Sequence, residues 1–246
     1  MMLCYKAWRE SRTRFLLSAF TLAGLCAALV WYHREAGDGI SRLPLSYVDF
    51  IWKAVYRSYI RELFVLLVLL LGVGGLLREK AARTTGFTLA LPVSRWRLVA
   101  TRAAVGVLEV MGLSLVPALV IPALSPVVHQ SYPWAQALQF SLLWSVCGTL
   151  IFMMAFLPSA LFGEEYTAPV VSFFVLLAYS FVADIPAVER HLGDIHDLMS
   201  GEGMPYFRPE TAQLAGPLPW LSLAMILVIS ASVVVVAASI TRQQDF

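Results

Sequence analysis

The segment "REKAARTTGFTLALPVSRWRLVATR" (Arg78–Arg102) follows the apolar run "LFVLLVLLLGVGGLL" (Leu63–Leu77) and leads into a second apolar run that ends at Leu124. An apolar helix of about 20 residues crosses the hydrocarbon core of a bilayer, because each residue adds about 1.5 Å. Charged side chains are costly inside that core, and Pro92 interrupts helical geometry. We therefore expect two membrane-spanning helices that are joined at a membrane surface.

The composition of the whole chain agrees with this interpretation. Of its 246 residues, 59% are hydrophobic and 14% are charged, and the mean hydropathy is +0.73. Soluble domains carry about 25% charged residues. The candidate spans are 15–32, 56–77, 98–124, 135–157, 167–183 and 218–240. We predict an all-α polytopic membrane protein, with residues 1–246 forming one domain around a six-helix transmembrane bundle.

The positions of lysine and arginine predict the orientation of the bundle. Basic residues are dense before the first span and in the loop 78–97, whereas the loop 184–217 is acidic. Cytoplasmic segments carry the excess of basic residues, so we expect a multi-pass protein of a bacterial inner (plasma) membrane with both termini in the cytoplasm. Residues 1–14 mix apolar and basic side chains and are predicted to form a helix in the inner interface. A basic anchor with no further role is the alternative.

Motifs for catalysis are missing from the sequence. A P-loop needs a lysine directly after a glycine, but Lys6, Lys53 and Lys80 follow tyrosine, tryptophan and glutamate. No His-Glu pair exists for a zinc protease, and the adjacent Glu164 and Glu165 lack the nearby arginine of glutamyl intramembrane proteases. We expect a non-catalytic chain, so that any ATP-driven activity needs an ATPase on another chain.

Metal and nucleic-acid binding are also disfavoured. The stretch "HLGDIHD" (His191–Asp197) offers two histidines and two aspartates as possible ligands, but its histidines are five residues apart and do not share a helix face. We interpret it as a solvated loop. The net charge of +2 is too small to indicate a nucleic-acid partner. The sequence therefore predicts no metal, no cofactor on this chain and no nucleic acid, but a lipid membrane as surroundings.

Glu109 is the one carboxyl well inside a predicted span. It lies about 16 Å of helix rise after the start of the third span, near the middle of the bilayer. Intramembrane acids face the bundle interior and mark candidate substrate or ion paths. Arg102 shares its helix face but is two turns away, too far for a direct pair. Two alternatives stay open: a structural carboxyl that ties spans together, and a residue on a substrate or ion path.

Three stretches carry a resemblance to a known family. They are "GLLREKAARTTGFTLALPVSRWRLVATRAAVG" (Gly75–Gly106), "LCYKAWRESRTRF" (Leu3–Phe15) and "RQQDF" (Arg242–Phe246). Together they resemble the permease subunits of type-2 ABC exporters. In the first stretch the shared pattern is a span, an acidic-basic pair, Thr-Gly, Leu-Pro-Val-Ser-Arg and a second span.

The resemblance implies that the loop 78–97 carries a cytoplasmic coupling helix that docks on an ATP-binding subunit. Within it Pro92 should break the helix, and Ser94 can cap the helix that follows. The residues assigned to docking are Arg78, Glu79, Thr85, Gly86, Phe87, Leu91, Pro92, Ser94, Arg95 and Arg97. The family further implies a second permease chain, so a homodimer or heterodimer, with ATP and Mg²⁺ on the ATP-binding subunits.

These features predict an efflux permease that moves a substrate with ATP hydrolysed by a partner. One alternative is an ion- or proton-coupled secondary transporter that uses Glu109. Another is a membrane assembly factor that transports nothing. For the loop itself, a basic segment that only sets the topology would also follow from the positive-inside bias.

Overall fold

The computed structural model describes residues 2–37, 46–81, 95–161, 167–183, 194–202, 204, 206–208 and 210–243. The described α-helices are α1 (Met2–Gly37), α2 (Tyr47–Ile51), α3 (Tyr59–Ala81), α4 (Arg95–Leu124), α5 (Trp134–Leu161), α6 (Thr167–Ala183), α7 (Ile195–Ser200) and α8 (Trp220–Gln243). A π-helix (Trp52–Arg57) precedes α3, a 3₁₀ turn (Ser125–Val128) follows α4, and β1 (Phe207–Arg208) pairs antiparallel with β2 (Gln213–Leu214).

Helix α5 forms the centre of the bundle. Its sequence is apolar on every side, which is typical of a helix surrounded by other helices rather than of an amphipathic surface helix. Most of its residues are buried, and α3, α4, α6 and α8 all pack against it. Helix α1 packs on the other side of α4 and α3. A displacement of α3 or α4 would therefore change its packing against α5.

Among the described residues, four stretches are long and apolar enough to cross a membrane: Leu3–His33, Trp96–Val128, Trp134–Leu161 and Trp220–Ile240. An all-α membrane protein is therefore confirmed. The second and fifth predicted spans coincide with α3 and α6, whose described apolar parts are shorter. The predicted count of six spans is thus not reached by length and composition alone.

The short helix predicted for residues 1–14 forms the first turns of a longer helix. Met2–Gly37 is one continuous helix of 36 residues, with no break before the apolar part. The reason lies in the sequence: no proline interrupts it, and its first glycine is Gly24. At about 1.5 Å per residue the helix is about 54 Å long, so it extends beyond a hydrocarbon core of about 30 Å. Its basic first turns continue the span instead of lying apart from it.

The predicted coupling loop, residues 78–97, overlaps the ends of two described helices. Arg78 and Glu79 lie in the last turns of α3, and Arg95 and Arg97 lie in the first turn of α4. The helix thus begins at the residue after the predicted cap, Ser94. The predicted docking residues between these helices, Thr85, Gly86, Phe87, Leu91, Pro92 and Ser94, lie outside the described residues.

A small cap covers one end of the bundle. We define the cap as α2, the π-helix, α7 and the β1–β2 hairpin. Trp52 donates from Nε1 to the carbonyl of Ser200 (2.9 Å), and Gln136 at the start of α5 donates to the carbonyl of Ala212 (2.7 Å). Arg57 and Glu202 form an ion pair of 2.9 Å. These links join the segment before α3 to the segment before α8 and to α5.

Candidate functional site

A polar cluster lies between α1 and α4, at the end of the bundle opposite the cap. Glu109 of α4 is only 3% exposed, although it is a carboxyl. Its Oε1 is hydrogen-bonded to the hydroxyl of Ser11 on α1. The same hydroxyl is 3.0 Å from the carbonyl oxygen of Ala7, one turn earlier in α1. The Ser11–Glu109 contact therefore joins two helices through a buried polar pair.

An ion pair lies one to two turns away in the same helix interface. The guanidinium of Arg102 is 3.5 Å from Glu10, and Lys6 is 4.0 Å from the other oxygen of that carboxylate. The side chain of Arg102 is 8% exposed and that of Glu10 is 28% exposed. A buried charge needs a partner, because its desolvation costs several kcal/mol. Glu10 supplies that partner to Arg102 from the neighbouring helix.

Glu10, Ser11, Arg102 and Glu109 line one narrow cavity, to which α3 and α5 also contribute walls. Its lining residues are Ala7, Glu10, Ser11, Arg14, Leu71, Gly72, Arg102, Val105, Gly106, Glu109, Phe152 and Phe156. The space for the centres of water-sized molecules is about 40 Å³. At about 10–15 Å³ for each water, about three or four waters fit. The cavity can therefore hold water, a proton or a small ion.

The structure brings the two predicted path residues, Glu109 and Arg102, to the same cavity. The sequence interpretation missed their partners on α1, Glu10 and Ser11. Both lie in the segment 1–14, which is predicted to lie in the membrane interface. The signal that could have found them is the absence of a helix-breaking residue before Gly24, which predicts one helix and hence a polar face running into the membrane.

Of the predicted docking residues, only Arg97 has a described side chain. Arg97 is exposed on the first turn of α4. Arg78 and Glu79 are described only as parts of the α3 backbone, and Arg95 only as the start of α4. Arg97 is not among the residues that line the cavity.

The described part of "HLGDIHD" has a structural role. Asp194 caps α7 by accepting a hydrogen bond from the backbone N–H of His196 (3.1 Å). Burial raises the pKa of Asp197, and the neighbouring carboxylates Asp194 and Glu202 raise it further. Among the residues that the structure describes, no three His, Cys, Asp or Glu side chains are grouped as metal ligands. The segment contributes to the cap.

Comparison with known proteins gives no family assignment. No family model matches the chain, and no curated protein is similar to it at a significant level.

Proposed function

We propose that this chain is the membrane-spanning permease subunit of an ATP-binding-cassette exporter. The observation that carries the proposal is the segment Gly75–Gly106, in which a basic Leu-Pro-Val-Ser-Arg motif joins two apolar helices. Those helices, α3 and α4, both pack on the buried central helix α5. A force applied to the segment would reach the centre of the bundle through two rigid helices. The proposed bundle has six spans, counting α3 and α6.

The motor of such an exporter resides on a partner chain. Because no lysine follows a glycine, this chain has no P-loop to hold ATP. In the proposed complex, ATP and Mg²⁺ bind to the ATP-binding subunits, and a second permease chain completes the pathway. Phe87 and Leu91 would anchor in an apolar groove of the ATP-binding subunit, while Arg95 and Arg97 would meet its acidic groups.

We expect Phe87→Asp to release the ATP-binding subunit. A buried aromatic anchor contributes about 2 kcal/mol or more to an interface, and a carboxylate in its place adds a desolvation cost. Binding should weaken by about 30-fold or more, since each 1.4 kcal/mol changes affinity about tenfold. The measurement is co-purification of an ATP-binding-cassette subunit with the tagged chain from its native membranes.

Tyr59→Asp is the matched control, because Tyr59 is 82% exposed at the cap end of α3. It should leave partner recovery unchanged. The proposal is wrong if no ATP-binding subunit accompanies the unaltered chain. The docking assignment is wrong if Phe87→Asp and Arg95→Glu both keep the partner and ATP-coupled transport.

The proposed orientation puts the N-terminus of α1 in the cytoplasm. The three cysteines provide a direct test, because Cys4 is exposed while Cys26 and Cys147 are buried. In spheroplasts, a membrane-impermeant maleimide should leave the chain unlabelled until the membrane is permeabilised. A Cys4→Ser chain that carries Tyr59→Cys should react at once from outside. The reverse pattern would mean that the whole bundle is inverted.

An ion- or proton-coupled transporter is the second candidate function. The observation in its favour is the buried Glu109 carboxyl in a cavity large enough for water or a small ion. This candidate predicts transport that follows a pH or ion gradient with no ATPase present. Glu109→Gln would abolish that transport, whereas an ATP-driven exporter would keep transport that depends on the ATPase.

A further inference from the structure

The hydroxyl of Ser11 lies within hydrogen-bond distance of three oxygens, Oε1 of Glu109 and the carbonyls of Ala7 and Trp8, but has only one proton. The carbonyl of Ala7 lies 3.0 Å from it, in the i−4 position that a helical serine normally uses as its acceptor. When Ser11 donates there, only its lone pairs face Oε1 of Glu109. The contact between these two oxygens is then attractive only if the carboxyl supplies the proton. A neutral Glu109 that donates to Ser11 therefore satisfies both contacts.

The burial of Glu109 favours the same state, whereas the two guanidiniums that line its cavity, against one other carboxylate, favour the ionised form. From α1 it is faced by Glu10 and Arg14, and from its own helix by Arg102. The walls supplied by α3 and α5 are the non-titratable residues Leu71, Gly72, Phe152 and Phe156. Arg102 is 3.5 Å from Glu10, which already balances one positive charge. An ionised Glu109 would then be a carboxylate at 3% exposure, and such burial costs several kcal/mol.

We propose that Glu109 is a proton-binding site whose occupancy controls the packing of α1 against α4. With the proton bound, the neutral carboxyl stays buried and its hydrogen bond to Ser11 holds the two helices together. When the proton leaves to a water in the cavity, the carboxylate requires more water or one of the two guanidiniums that line the cavity, those of Arg14 and Arg102. The charged state then separates α1 from α4 at this end of the bundle.

The ligand is thus a proton, and the responding element is the α1–α4 interface. No bond other than O–H forms or breaks, and the released proton passes to water. The site belongs to this chain alone and does not rest on the proposed exporter function. Its failure or success can be measured without ATP, partner or transported substrate.

The test uses the purified full chain in lipid nanodiscs, with Cys4→Ser. Infrared difference spectra between low and high pH should contain the C=O band of a protonated carboxyl, and Glu109→Gln should remove it. Spin labels at Leu17 of α1 and Leu108 of α4, which are 65% and 66% exposed, report the helix separation. That distance should increase as pH rises, with the same midpoint as the infrared band.

Matched variants separate this proposal from a general effect of pH. Glu109→Gln should fix the short distance at every pH, and Glu109→Asp should restore a titration. Glu62→Gln, a 56% exposed carboxyl at the cap end, should change neither readout. The proposal is overturned if no carboxyl band depends on Glu109. It is equally overturned if the band titrates while the distance between the labels stays constant, or if Glu109→Gln still responds to pH.

Discussion

Replacing Trp144 with alanine is expected to lower the free energy of unfolding by about 3–5 kcal/mol, the range for large aromatic side chains lost from a core. The side chain is fully buried, with ring centroids 4.7 Å from Phe64 and 5.6 Å from Tyr56. Its Nε1 also donates to the carbonyl of Met199 in the cap, at 3.1 Å. Trp144 therefore joins α5, α3 and the cap, and alanine would leave a cavity and an unsatisfied carbonyl.

The measurement is thermal or denaturant unfolding of the purified protein in detergent, with hydrogen exchange in Ile195–Ser200 as a local readout. Trp134→Ala removes the same side chain from the same helix where it is 51% exposed, and should cost less than about 1 kcal/mol. Trp144→Phe keeps most of the packing and loses the donor, so a loss of about 1–2 kcal/mol is expected. Equal losses at Trp144 and Trp134 would show that the cap is not anchored here.

The helices were largely predictable because each depends on local information. A long apolar run indicates a segment inside the bilayer, where backbone N–H and C=O groups must hydrogen-bond within the protein. Only helices or closed barrels satisfy all of these groups. The interval 167–183 coincides with α6, and the third and fourth intervals lie within α4 and α5. The continuity of residues 2–14 with the first span was not predicted, although no proline or glycine precedes Gly24.

The cap could not be predicted, since it depends on contacts between distant parts of the chain. Trp52 and Ser200 are joined by one hydrogen bond across 148 positions, and nothing local to either residue indicates it. The same holds for the cavity. Glu109 could be singled out because an acid within a span is costly, but its contact with Ser11 depends on how α1 and α4 are rotated about their axes. Hydropathy does not determine that rotation.

Gly72→Val is expected to separate α3 from α5 and to destabilise the bundle by about 3 kcal/mol, the upper end of the usual cost of overpacking. A Cβ at this position would lie 2.7 Å from Cβ of Ala155 and 2.8 Å from the backbone oxygen of Phe152. Neither atom is the end of a flexible side chain, so relief requires a shift of one helix. Small residues allow this kind of close approach between membrane helices.

The control for helix propensity is Gly24→Val, because a Cβ on Gly24 meets nothing within 4 Å. It should unfold like the unaltered chain or be slightly more stable. Gly106→Ala provides the contrast: its Cβ would lie 2.0 Å from Cζ of Phe152, a side-chain atom. Adding Phe152→Leu should therefore rescue Gly106→Ala, but not Gly72→Val, whose obstacles are a backbone oxygen and Ala155. If Phe152→Leu rescued both, the approach of α3 to α5 would be limited by the ring and not by the backbone.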